Sequence, residues 1–162
     1  MRALTLAKTA GAAAATAVIG GLATGPAVQS NWYQTLRKPS FQPPRRAFPI
    51  VWPLLYADVA VVSAATVDEL RERGANDEAK TFTRLLALNL LLNGSWSWLF
   101  FNRRQLGPSA VLAGALAVSS ADLTRRAATV RGTRAAPLAL YPLWCAFATV
   151  LSTHIWKLNR NR

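Results

Sequence analysis

Cysteine and histidine are nearly absent from this 162-residue chain, at one residue each. A lone Cys145 can form no internal disulfide and no cysteine-based zinc site. It reads as a small residue buried in an apolar helix. A lone His154 reads as a hydrogen-bonded core residue rather than a haem ligand, so no metal site is expected. Acidic residues are also scarce, 7 Asp and Glu against 19 Lys and Arg. No Ser/His/Asp set and no paired carboxylates in a pocket are present to suggest catalysis. The strict alternation of polarity that a membrane β-barrel needs is missing as well.

What the chain does have is an apolar fraction of 52% together with a net charge of +12. The two conflict in a small soluble domain. They agree if apolar residues gather into spans with the charges between them. Residues 9–28, 85–102, 107–121 and 135–156 are indeed free of charge. The excess of Arg and Lys first suggests nucleic acid. The bases sit instead in short clusters at the ends of apolar runs, where they can meet lipid phosphates. A lipid bilayer is therefore the expected partner, and nucleic acid is not.

Five spans follow, at about residues 4–28, 48–67, 81–101, 107–124 and 135–158, each near the ~20 residues that a helix needs to cross a bilayer. Span one is rich in Ala and Gly, with Lys8 near its start. A secretory signal peptide is its rival reading. Against that, the apolar run is long for a signal core, and Gly21-x-x-x-Gly25 suits close helix contact. Residues 29–47 form a loop, because Pro39, Pro43 and Pro44 rule out a continuous helix. Arg37, Lys38, Arg45 and Arg46 make that loop basic, and Trp32, Tyr33 and Phe41 make it aromatic, as befits a segment folded over a helix end at the interface. Pro49 and Pro53 fall in the first turns of span two. Residues 68–80 read as a polar connection, and Arg103 and Arg104 close span three. Ser109, Ala113, Ala117 and Ala121 give span four a small-residue face, and residues 125–134 read as a basic loop.

The expected fold is all-α: one domain, an antiparallel bundle of five transmembrane helices with a Pro-rich loop between the first two. Its orientation stays open. The N-terminal side would hold ten Lys and Arg and the opposite side nine, Arg162 among them, which gives no positive-inside bias.

Three helical faces carry the chemistry. Trp52 and Tyr56 share one in span two. Asn89, Asn93, Trp96 and Phe100 share another in span three. Trp144, Ala148, Leu151 and Ile155 repeat the spacing in span five, where Ser152 adds polarity. The Asn pair should point inward, since an unpartnered amide is costly in hydrocarbon. It serves either helix-to-helix bonding or a ligand. Inward Trp and Tyr offer flat surfaces with one polar atom each, suited to a planar aromatic ligand. Trp52 and Trp144 are assigned to such a pocket and Trp156 to an interfacial belt. Asp58 projects away from Trp52 and Tyr56, either neutral or bonded to another helix. Asp122, near a helix end, should reach water or Arg125 and Arg126.

The run Trp32, Tyr33, Leu36, Lys38, Pro39, Pro43, Pro44, Phe48, Val51, Trp52, Leu55, Tyr56 resembles the first loop and second helix of the TspO/MBR family, the tryptophan-rich sensory or translocator proteins. Leu92, Asn93, Trp96, Ser97, Phe100 and Phe101 resemble its third helix. Trp144, Phe147, Ala148, Leu151, Trp156, Leu158 and Asn159 resemble its fifth. The resemblance covers residues 31–159 in order. It implies an integral multi-pass protein, in a bacterial membrane, often a homodimer. The implied ligands are porphyrins, haem, sterols and synthetic isoquinolines or benzodiazepines. It also implies a pocket built from Trp52, Asn93, Trp96, Phe100, Trp144, Ala148 and Leu151, with Tyr56 beside them. The lid would be the loop carrying Trp32, Lys38, Pro39, Phe41, Pro43 and Pro44. No cofactor is required; porphyrin or haem would be the ligand.

The chain departs from the family pattern where Asn89 replaces a Gln, where Val59-Ala60 stands for Met-Gly, and where Leu151-Ser152 stands for Leu-Asn. Pro142 and Tyr141 are rearranged ahead of Trp144. Thr153 stands where a sterol-recognition pattern wants Tyr, which argues against sterol binding. Two other functions stay open beside a receptor or carrier: light-dependent porphyrin breakdown, and facilitated passage of tetrapyrroles across the membrane.

Overall fold

A computed structural model of the chain describes residues 1–161, so Arg162, counted above among the bases, lies outside it. The chain forms α1 (Ala3–Val28), a short α2 (Asn31–Thr35), α3 (Phe48–Glu72), α4 (Asn76–Ser97), α5 (Leu106–Ala135) and α6 (Leu140–Asn159). Apart from α2 these are helices of 20 to 30 residues. No strand occurs among the described residues.

Three stretches are long and apolar enough to cross a membrane: Ala3–Val28, Arg45–Glu72 and Leu106–Asn159. The last holds both α5 and α6, joined by a 3-10 turn at Ala136–Ala139. Leu4, Val18, Leu22, Leu54, Leu91, Val111, Val118 and Leu143 are exposed around the bundle. Such an apolar exterior fits lipid rather than water.

Side-chain contacts fix the directions of the helices. Thr5 Oγ1 donates to Asp68 (2.7 Å) and Thr9 Oγ1 to the Ala60 carbonyl (2.8 Å), so α1 and α3 run antiparallel. Asp68 also accepts from the Arg2 amide, holding the start of α1. Thr16 lies against Gly94, and Gly20 against Ser97, so α1 and α4 run parallel. Gly107 meets Trp156 and Gly114 meets Thr149, so α5 and α6 run antiparallel.

Most of the apolar core lies among α3 to α6, around Val59, Phe82, Leu86, Leu116, Leu123 and Tyr141. A second cluster, with Tyr33, Phe100, Phe101, Leu151 and Ile155, gathers beneath the Pro-rich loop.

Several expected boundaries shift. The polar connection at 68–80 shrinks to residues 73–75, where Gly74 takes a left-handed turn at φ 76°. The expected basic loop at 125–134 is helical up to Ala135, with Arg131 alone leaving helical geometry. Both segments consist of residues with adequate helix propensity, and ion pairs one turn apart link Arg73 to Glu69 and Arg125 and Arg126 to Asp122. Span three starts early, at Asn76, and ends in a π-helical turn, Trp98–Asn102.

Two packing expectations also change. On α5 Ser109 and Ala113 are buried but Ala121 is exposed. A strict fourfold spacing drifts around a 3.6-residue helix, and the buried stripe continues instead through Leu116, Ser120, Leu123 and Ala127. On α1, Gly21 and Gly25 have nothing within 4 Å of where a Cβ would stand. The close contact falls on Gly20, whose Cβ would stand 3.1 Å from Ser97 Oγ.

Candidate functional site

Trp52 and Trp144 arrive from α3 and α6 with ring centroids 6.4 Å apart and planes at 88°. Tyr56 lies 5.7 Å from Trp52, and Phe48 and Phe147 flank Trp144 at 5.9 and 5.6 Å. Across from them Trp96 stacks on Phe100 at 5.2 Å. These rings surround a cavity of about 530 Å³ between α1, α3, the end of α4 and α6. That volume is in the range of small-molecule sites. Trp52, Tyr56, Asn93, Trp96, Phe100, Trp144, Ala148 and Leu151 all line it.

Trp32, Lys38, Pro39, Phe41, Pro43 and Pro44 do not line the cavity; Tyr33, Gln42 and Arg45 do. Ser30 caps α2 by accepting from the Tyr33 amide, which turns Tyr33 inward. Adjacent helical residues point about 100° apart, so Trp32 is directed sideways onto Phe100, with the Arg104 guanidinium 5.3 Å above it. Phe41 packs on Phe147 and His154. His154 is exposed, not in the core, and bonds through Nδ1 to the Val150 carbonyl at 2.9 Å. It follows a face of α6 that looks out from the bundle.

The loop is fastened from both sides. Asn159 accepts from the Arg37 amide at 3.0 Å and donates to the Arg37 carbonyl at 2.9 Å. Lys38 Nζ donates to the Tyr33 carbonyl at 2.6 Å and lies 4.3 Å over the Tyr33 ring. Burial, and then the neighbouring Arg45 charge, hold the Lys38 ammonium below its ordinary pKa. Burial raises the Tyr33 phenol, against the opposing pull of Arg45 and a bond to Gln42.

A chain of hydrogen bonds makes the cavity floor. Tyr56 Oη donates to Asn93 Oδ1 (2.9 Å), and Asn93 Nδ2 donates to Tyr141 Oη (3.0 Å). Tyr141 donates to Asn89 Oδ1 (2.8 Å), and Asn89 Nδ2 donates to Ser119 on α5 (3.1 Å). Both amides thus bond across helices, while Asn93 and Tyr56 also face the cavity. By contrast, the indole N–H groups of Trp96 and Trp144 and Oε1 of Gln42 are shielded from water without a partner. Asp58 stands apart from the cavity, with one buried carboxylate oxygen unpartnered. Asp122 pairs with Arg125 and Arg126, both at 2.7 Å. No cluster of His, Cys, Asp or Glu able to hold a metal occurs among the described residues.

Charge is divided unevenly between the two ends. The loop end carries Arg37, Lys38, Arg45, Arg46, Arg103, Arg104, Lys157 and Arg160 and no Asp or Glu among the described residues. Apart from Asp58, the acids all lie toward the other end, from Asp68 to Glu78 and at Asp122. The loop end therefore carries an uncompensated positive field, and Arg45 brings part of it to the cavity wall.

Beyond the expected residues, the wall includes Gly20, Gly21, Thr24 and Gly25 of α1 together with Phe48, Pro49 and Pro53 of α3. The glycines had no side-chain signal to betray this role; Tyr33 and Arg45 were visible only as part of an aromatic, basic loop.

The sequence pattern that defines the TspO/MBR family matches residues 9–157. The chain belongs to the TspO/MBR family. As a TspO/MBR protein with apolar spans of this length, it is an integral membrane protein. It is 35% identical over 140 residues to a translocator protein of Sus scrofa, covering 82% of this chain and 77% of the relative. It is 32% identical over 158 residues to the tryptophan-rich protein TspO of Chlorobaculum tepidum, covering 96% of each. The human translocator protein is 36% identical over 134 residues, covering 80% of this chain and 75% of its own. The TspO/MBR match takes in most of α1 as well as the loop and α3 to α6, and so spans every wall of the cavity.

Proposed function

We propose that this protein is a membrane receptor or carrier for planar, hydrophobic, anionic ligands of the tetrapyrrole class. In this reading α1, α3, α4, α5 and α6 all cross the bilayer, the Pro-rich loop closes the cavity, and porphyrin or haem is a ligand rather than a cofactor. One observation carries it: two indoles from separate helices stand at right angles on the wall of a 530 Å³ aromatic cavity. Stacking on such rings, worth about 0.5–1.5 kcal/mol per ring pair beyond area burial, would hold a flat macrocycle. The acid-free basic end would attract its carboxylates. Membership of the TspO/MBR family supports the same reading.

Protoporphyrin IX titrated into detergent-purified protein should quench tryptophan fluorescence saturably. Trp52→Ala combined with Trp144→Ala should weaken binding, followed by the porphyrin's own absorbance, by roughly a hundred-fold if each ring contributes about 1.4 kcal/mol. An unchanged affinity would remove these rings from the site.

A further inference from the structure

The cavity is closed above and open at the side. Above it, the loop is fastened by Asn159 to Arg37 and by Phe41 to Phe147 and His154. On the α4 and α6 walls no lining residue is exposed. The exposed lining residues are Gly21 and Gly25 on α1, Pro49 and Pro53 on α3, and Arg45 just ahead of α3. All five border one gap.

The helices make this gap for a physical reason. Near the start of α1, Thr5 and Thr9 tie it to Asp68 and Ala60 of α3. Further along, Gly20 seats against Ser97, and the Ile19 carbonyl accepts from Trp98 Nε1 at 3.2 Å, so α1 leans on α4. Among the described residues no hydrogen bond ties that half of α1 to α3. Glycines on one side of the gap have no side chain to fill it, and a Cβ at Gly21 or Gly25 would meet nothing within 4 Å. The prolines opposite present only compact rings. At the gap's upper end stands Arg45, which has no carboxylate partner among the described residues and lies 5.9 Å from the Tyr33 ring.

We propose that the ligand enters sideways from the bilayer, through the slot between α1 and α3, and that it is an amphiphile whose anionic group is taken by Arg45 while its apolar plane slides past Gly21 and Gly25. This rests on the ligand-binding reading above and specifies its route and the chemistry of its ligand. A hydrophobic plane already dissolved in the acyl layer meets the slot without crossing water. Its acid group travels at headgroup depth, where the basic end of the protein lies.

The test uses the full chain in nanodiscs of neutral lipid, with protoporphyrin IX delivered from vesicles and binding followed by stopped-flow quenching of tryptophan. Gly21→Leu with Gly25→Leu should slow association and dissociation together, each by about ten-fold. A lost contact would instead speed dissociation. To separate blockage from misfolding, Gly25→Cys can be alkylated with a bulky maleimide after folding, since Cys145 is fully buried; the same slowing is expected. Arg45→Gln should weaken binding of protoporphyrin by roughly ten-fold but leave its dimethyl ester alone. Rates within about two-fold of wild type after alkylation would overturn the lateral route. So would faster association on freeing the loop with Asn159→Ala. In either case saturable binding would leave the ligand-binding reading standing. Absence of saturable binding by the wild-type protein would defeat both.

Discussion

Tyr141 stands in the middle of the hydrogen-bond chain inside the bundle, between Asn93 and Asn89. Its single hydroxyl accepts from Asn93 and donates to Asn89, and it is 1% exposed. Tyr141→Phe would leave an amide N–H and an amide carbonyl buried without partners, at a cost of about 1–3 kcal/mol. The expected drop in detergent melting temperature is roughly 2–10 °C; no drop would mean the amides find other partners. The glycines of α1 give a sharper contrast. Gly20→Val should destabilise, because its Cβ would press on Ser97 at 3.1 Å, whereas Gly21→Val has free space and should melt within about 1–2 °C of wild type. The sequence pointed to the wrong pair here. Gly21-x-x-x-Gly25 has the spacing of a packing motif, but spacing alone does not say which face of an Ala- and Gly-rich helix turns inward. The aromatic residues were readable because Trp52, Tyr56, Trp96 and Trp144 are too large and too amphipathic to be placed without a partner surface. Helical spacing placed them on shared faces within each helix; that the faces of three helices meet in one pocket was implied by the resemblance to the TspO/MBR family.

At the scale of elements, the apolar runs located the long helices, and their interiors were legible. Their ends were not. α3 and α5 run past the ends of their uncharged apolar stretches because Glu69, Arg73, Asp122, Arg125 and Arg126 pair one turn apart there, which a hydropathy boundary ignores. α4 was legible only from residue 81 onward: Asp77, Glu78 and Lys80 read as connection, yet they form its first turns, from Asn76. The loop over the cavity makes a prediction of its own. Asn159→Ala removes both side-chain bonds to the Arg37 backbone. Amide exchange across residues 36–44 should then speed by about ten-fold while that of α3 to α5 stays unchanged, as a locally fastened segment requires. If exchange spreads through the helices, Asn159 supports the bundle rather than the loop.

Across the whole molecule, charge is segregated although the bases alone are nearly balanced. Counting Lys and Arg gave no orientation; the acids make the ends unlike, since they cluster away from the loop. Arg45, at the upper end of the gap between α1 and α3, belongs to the end where positive charge is uncompensated. Raising salt from about 0.05 to 0.5 M should therefore slow association of protoporphyrin several-fold while leaving its dimethyl ester unaffected, because exposed charges are screened beyond a few ångströms. Equal salt dependence for both compounds would separate the basic end from ligand capture.

The hydrogen-bond chain beneath the cavity also gives the space a polarity. Tyr56 has already committed its proton to Asn93, so what it can still present to a guest is a lone pair. Tyr56 thus offers an acceptor at the deep end, and Arg45 offers donors at the rim. A guest with an acid at one edge and a donor at the other has one favourable way round, and the same guest turned end for end would set acid against lone pair and donor against guanidinium. On the proposed function, the cavity would sort guests by the order of their polar groups as well as by their flatness.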